Sequence, residues 1–170
     1  MTTINLYDAI CQLTERKQYP TTIQDVFKII LMQDAPSIRL FEYMEENKIS
    51  SEEIKGQIID VILDYAELIL EDDILTKTEI NNIHALRKFF YIEDGEFIEY
   101  GKRDRVEAIL IEQLEKLYAD KKIDKEEMLH KSELQGLFGL GYDDYLDIVN
   151  KVAIEAYSRG ADLKDLDTYL

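Results

Sequence analysis

The chain has 170 residues, 46% of them apolar, and a formal charge of −16 at pH 7. That apolar fraction can form a core, which excludes a wholly disordered chain, and the charge disfavours binding to nucleic acid and to anionic membranes. The first residues do not resemble a signal peptide, no run of about 18 apolar residues occurs, and Cys11 is the only cysteine. We therefore expect a cytoplasmic protein without membrane insertion or an intrachain disulfide.

The negative charge is unevenly distributed along the chain. Residues 1–40 contain four acids and four bases, so the whole excess lies after Leu40. We expect residues 1–45 to form an N-terminal helical segment packed on the core of an acidic helical-repeat domain, residues 46–170, in one compact unit. A surface of this charge attracts basic proteins and divalent cations.

The spacing of apolar residues predicts an all-α fold. After Pro36 they recur every three or four residues, which is the period of an α-helix. Four predicted helix starts pair a capping side chain with a Glu or Gln three positions later: Thr21–Gln24, Ser50–Glu53, Thr76–Glu79 and Asp124–Glu127. Strand-like alternation occurs only within residues 92–100, where glycines interrupt it, so we expect a loop or a small hairpin there.

An internal repeat relates two parts of the chain. Residues 58–92 align with residues 106–140 without a gap, and each copy contains an apolar stripe, an acidic loop, a cap and a second helix. The identical pairs include Asp72 and Asp120, Lys77 and Lys125, Glu79 and Glu127, Leu86 and Leu134, and Phe90 and Phe138. The sequence predicts a multi-helix bundle of helical hairpins with a pseudo-symmetric internal repeat.

The two acidic loops are candidate metal sites. Carboxylate oxygens are the ligands that Ca²⁺ and Mg²⁺ prefer. The predicted ligands are Asp72, Asp73 and Glu79 in the first loop, and Asp120, Asp124 and Glu127 in the second. Neither loop has the spacing of an EF-hand. In the alternative interpretation, Glu79 and Glu127 are capping residues and the aspartates are solvated turn residues.

A carboxylate metalloenzyme is the least favoured alternative. Glu127 and His130 have the E-x-x-H spacing used in di-iron bundles, but the first copy of the repeat has Asn82 where the second has His130. The usual pairs of nucleophile and base and the glycine-rich phosphate loops are absent from the sequence. We therefore predict that the protein is not an enzyme.

Tyrosines beside acids are candidate partner-binding residues. Tyr142, Asp143, Asp144 and Tyr145 are consecutive, and such a segment suits a basic partner because rings supply contact area and carboxylates supply specificity. In the alternative interpretation, the rings cover the core with their hydroxyl groups in water.

The two acidic loops also resemble a known pattern. Residues 72–79 and 120–127 are similar to the repeated Asp-Gly-x-Ile-Ser-x-x-Glu pattern of the tellurite-resistance TerB-like family, although Asp73 and Lys121 stand where the family has Gly. The resemblance covers roughly residues 58–158. It implies an all-helical fold with two pseudo-symmetric halves, metal-ion binding and a role in stress response, without a known catalytic activity.

We expect a non-enzymatic, bacterial-type stress-response module whose acidic surface binds a basic protein partner or a divalent cation. An immunity or inhibitor protein that covers the basic active site of a toxin is the alternative, because carboxylates can imitate nucleic acid.

Overall fold

The computed structural model describes residues 5–32, 34–71, 74–119 and 125–166, with the backbone alone for residues 125–129. This described part contains nine helices and no strand, which confirms the predicted all-α fold. The helices are α1 (Leu6–Arg16), α2 (Thr21–Ile30), α3 (Pro36–Asn47), α4 (Ser51–Leu70), α5 (Lys77–Phe89), α6 (Glu96–Glu99), α7 (Arg103–Leu117), α8 (Lys125–Gln135) and α9 (Tyr142–Ser158).

Capping side chains begin several of these helices. Thr76 and the Glu three positions later form a reciprocal capping box at α5, and Ser50 accepts from the amide of Glu53 at 3.1 Å at α4. The predicted cap at Thr21 is wrong, because Pro20 holds the N-cap position of α2 and no side chain bonds there. The fourth predicted cap, Asp124, lies outside the described residues.

Helix α4 lies at the centre of the bundle. Eleven of its 20 residues are buried, and a helix that is apolar on most sides must be covered on most sides. Helices α1, α2 and α7 pack against it, and α9 packs against α7. Helix α3 contacts α2 and buries only Leu40. Among the described helices, none combines the length and the apolar character needed to cross a membrane.

A half-buried carboxylate joins the N-terminal helices to this centre. The Asp64 carboxylate of α4 accepts from the Lys17 ammonium at 2.8 Å, the Tyr19 hydroxyl at 2.6 Å and the Arg105 guanidinium at 2.9 Å. Burial opposes ionisation of Asp64, but these three hydrogen bonds hold its pKa below its usual range. The Asp64 carboxylate therefore has a structural role, because it links the N-terminal segment to α4 and α7.

The second helix of each copy of the repeat begins at an equivalent position. Helix α5 begins at residue 77 and α8 at residue 125, which is the offset of 48 that the alignment uses. Leu86 and Phe90 are buried, and so are their equivalents Leu134 and Phe138. The pseudo-symmetric relation of the two copies in space stays a prediction.

The segment predicted to be a loop or a hairpin contains a short helix instead. Gly95 has a left-handed backbone with φ 88°, which reverses the chain, and one helical turn follows as α6. That turn buries Phe97 completely. The amide of Gly95 donates to the carbonyl of Gly139 at 3.0 Å, so this segment is held against the turn after α8.

Candidate functional site

Most of the predicted metal ligands cannot be placed. Four of them lie outside the described residues: Asp72, Asp73, Asp120 and Asp124. Only the backbone of Glu127 is described. Glu79 is buried, and its Oε2 accepts from the amide and the hydroxyl of Thr76, both at 2.7 Å. Within the described ranges, no group of three His, Cys, Asp or Glu side chains could hold a metal ion.

The predicted partner-binding segment does not form one exposed surface. Tyr142 and Asp143 are exposed at the start of α9, and the Asp144 carboxylate pairs with the Arg103 guanidinium at 3.2 Å. Tyr145 is buried, and its hydroxyl donates to the carbonyl of Lys131 at 2.6 Å. The Tyr145 ring thus packs in the core, as in the alternative interpretation, but its hydroxyl bonds to the backbone and not to water. Partner binding by this segment stays a prediction.

The histidine of the E-x-x-H pattern is engaged inside the fold. The Leu75 amide donates to Gln113 Oε1 at 2.9 Å, so the NH₂ end of that side chain faces His130. Gln113 Nε2 lies 2.9 Å from His130 Nε2. Because the amide nitrogen can only donate, the imidazole nitrogen must accept, and His130 is neutral. Its Nε2 lone pair is then occupied, which argues against a metal ligand there.

This arrangement predicts a pH dependence of stability. Burial lowers the pKa of His130, so below about pH 6.5 the unfolded chain binds a proton that the folded chain does not. The free energy of unfolding should fall as the pH decreases from that value. Urea unfolding at neutral and mildly acidic pH should show a smaller fall in His130→Gln than in the wild type. The pKa of His84 is also lowered, by partial burial and by Arg87, but its ring is exposed, so His84→Gln should reduce the fall in unfolding free energy less than His130→Gln does. Equal falls in all three proteins would contradict the assignment.

An open apolar groove lies between α3 and α5. It has a volume of about 590 Å³, and its lining includes Leu40, Phe41 and Met44 of α3, Ile54 of α4, and Phe89 and Tyr91 at the end of α5. Phe41 is 64% exposed and Tyr91 82% exposed. Large apolar side chains left in water at one place are typical of a binding surface.

Residues 42–53, which include the end of α3 and the start of α4 beside the groove, carry uncompensated negative charge. Five exposed carboxylates lie between residues 42 and 53: Glu42, Glu45, Glu46, Glu52 and Glu53. In the part of the chain that the structure describes, none of the five makes an ion pair, whereas Asp60, Asp64 and Glu67 of α4 all pair with Arg105. Glu45 follows Phe41 by one helical turn, on the same side of α3.

Left-handed backbone occurs at both ends of α3 and at Tyr91 in the groove lining. The described residues include three non-glycine residues with left-handed backbone: Ala35 and Lys48 at the two ends of α3, and Tyr91 after α5. Tyr91 has φ 53°. Such conformations cost about 1 kcal/mol or more each, and they are enriched at functional sites.

Tyr91 occupies a position that favours glycine. The amide of Ile92 donates to the Arg87 carbonyl at 2.8 Å and that of Tyr91 to the Lys88 carbonyl at 3.3 Å, which is the bonding of a Schellman motif. The equivalent position of the second copy, 48 residues on, is Gly139 with φ 64°. A mostly exposed tyrosine therefore stands where the fold prefers glycine, and the fold gains little packing from it.

We expect Tyr91→Gly to stabilise the protein. Relief of the left-handed strain should raise the free energy of unfolding by about 0.5 to 1 kcal/mol, because little packing is lost. Urea unfolding measures the change. Tyr157→Gly removes an exposed ring from the last turn of α9, where the backbone is helical, and should instead lower the free energy of unfolding by up to about 1 kcal/mol. A loss of stability in Tyr91→Gly would show that the ring supports the fold.

The sequence did not indicate this groove. Its two most exposed aromatic residues, Phe41 and Tyr91, lie outside the acidic loops and outside the Tyr142 segment. The signal that could have found Tyr91 is a bulky residue at the glycine position of a repeat, Tyr91 against Gly139.

Comparisons of the chain with family models, with curated proteins and with solved structures give no match. The TerB-like resemblance therefore stays a prediction from the sequence. The geometry and charge of the groove are the observations that bear on function.

Proposed function

We propose that the protein is a non-enzymatic interaction module that binds a basic segment of a partner protein in the groove between α3 and α5. The observation that carries this proposal is the combination of exposed apolar side chains with unpaired carboxylates on one segment. Burial of the apolar side chains supplies affinity, and the carboxylates select a positive partner and accelerate its approach.

The distribution of charge supports this surface over the region around Asp64. There the carboxylates are matched by Lys17 and Arg105, so that region offers little net field to a partner. Between residues 42 and 53 only Lys48 and five glutamates are charged, and the lining of the groove adds the cation Lys88. An approaching cationic segment is therefore attracted to the glutamates beside the groove.

Binding of a divalent cation has less support in the described part of the chain. Glu79 is the one predicted ligand whose side chain is described, and its carboxylate already caps α5 through Thr76. A metal ion at Glu79 would have to compete with those two hydrogen bonds. A basic protein partner is therefore better supported than a cation.

Selection from an unbiased library tests the proposal. Random segments of about 20 residues, displayed on phage or yeast, should be selected against the full chain. We expect enriched binders to contain an excess of Lys and Arg. Their affinity should fall steeply as ionic strength rises, because screening weakens attraction between exposed charges.

Two charge variants locate the surface. Neutralising Glu45, Glu52 and Glu53 to glutamine should weaken the selected binders. The same loss of charge at exposed Glu115, Asp143 and Asp147 should leave them unchanged. Neutral or acidic binders would overturn the proposal. A loss of binding confined to the second variant would move the site to α7 and α9.

A further inference from the structure

We infer that the occupant of the groove is a single amphipathic helix of the partner, with an apolar face against α3 and α5 and lysines or arginines along its flanks. This inference rests on the proposed function, which requires a basic partner but leaves its conformation open. Three features of the groove favour a helix. They are the lack of a sheet edge among the described residues, the spacing of the lining residues along each wall, and the charge.

The first feature is the bonding that the groove can offer to a backbone. An extended peptide gains specificity by pairing its amides and carbonyls with an exposed strand. No strand occurs in the described ranges, and both walls are helices whose backbone groups bond within the helix. A helical occupant satisfies its own backbone hydrogen bonds and needs only side-chain contacts.

The second feature is the spacing of the lining residues. Leu40, Phe41 and Met44 follow one face of α3 at helical intervals, and Ala85, Lys88 and Phe89 do the same on α5. Two such rows form ridges with a furrow between them, which is the surface that receives the ridge of a third helix. The side chain of Ile54 forms part of the floor.

The third feature is the charge, which decides between possible occupants. A second copy of this chain has a net charge of −16 and would approach five unpaired glutamates. That repulsion disfavours a homodimer through this face. A helix with basic flanks is attracted by the same field, and its apolar row covers Phe41 and Tyr91.

Two synthetic peptides of about 18 residues, long enough for five helical turns, test this inference. Both contain only leucine and lysine, with leucines at helical spacing. The second has the same sequence, but several central residues are D-amino acids, which prevents a right-handed helix without changing charge or composition. Affinity for the full chain is measured by titration calorimetry, and helix formation by the change in circular dichroism.

We expect the all-L peptide to gain helical signal on binding and to bind about tenfold or more tighter than the diastereomer. Phe41→Ala should remove that difference, and Tyr157→Ala, a matched exposed ring on α9, should retain it.

Equal binding of both peptides would overturn the helical occupant while leaving the basic partner in place. Failure of both to bind would overturn the proposed function as well. Sedimentation adds one further outcome: a wild-type dimer that becomes monomeric in Phe41→Ala would show that a second copy covers the groove, which would overturn the inference.

Discussion

Gly139→Ala should lower the free energy of unfolding by about 3 kcal/mol or more, the largest effect that we expect of any single substitution. Gly139 has φ 64°, and a methyl group at its Cα would lie 2.6 Å from the Cα of Asp94 and 2.7 Å from its Oδ1. The Asp94 backbone cannot withdraw freely, because the adjacent Gly95 amide bonds to the Gly139 carbonyl. Urea unfolding followed by circular dichroism measures the loss.

A glycine series separates the two causes of that loss. Gly101 has a left-handed backbone but open space around it, so Gly101→Ala should cost only about 1 kcal/mol. Gly136 has neither constraint, and Gly136→Ala should be near neutral. Similar losses at Gly139 and Gly101 would show that the approach of Asp94 is unimportant.

Arg87→Ala should be the second most damaging change, with a loss of about 2 to 4 kcal/mol. The buried Arg87 guanidinium donates to the carbonyls of Gly136 at 2.6 Å and Leu137 at 3.1 Å, and to Asp94 Oδ1 at 2.7 Å. Alanine would leave the buried Leu137 carbonyl without this donor. The same bonds fix the end of α5, so we expect the position of Tyr91 to loosen as well.

Two variants of Arg87 and one control define the mechanism. Arg87→Lys keeps the charge but loses the fork of donors, so it should recover only part of the stability. Arg16→Ala breaks the exposed ion pair with Glu71 and should change the free energy of unfolding by less than about 1 kcal/mol. If Arg87→Ala were as mild as Arg16→Ala, Arg87 would be a surface residue in energetic terms.

Local chemistry made much of the fold predictable. Capping at Ser50 and Thr76 depends on residues three positions apart, so it could be predicted from the sequence. The spacing of apolar residues over 58–70 predicted that the central segment is a helix and which of its faces is buried. The prediction for residues 92–100 was wrong because the contact that decides it is distant. The Gly95 amide donates to the carbonyl of Gly139, 44 residues further along the chain, and no local sequence pattern predicts that hydrogen bond.

The groove was not predictable for a similar reason. Whether Phe41 is covered depends on how α3 packs on α2, and α3 buries only Leu40. The apolar spacing of α3 predicts a helix but does not show that one side of it remains open. Tyr145 illustrates the converse, since its acidic neighbours suggested a binding residue and tertiary packing buried it.

Binding of the leucine-lysine peptide to Tyr91→Gly shows whether the groove is the binding surface. Because the substitution should raise stability, weaker binding could not result from damage to the fold. We expect this variant to unfold at a higher urea concentration than the wild type and to bind the leucine-lysine helix about tenfold more weakly. Binding as tight as that of the wild type would contradict binding in the groove.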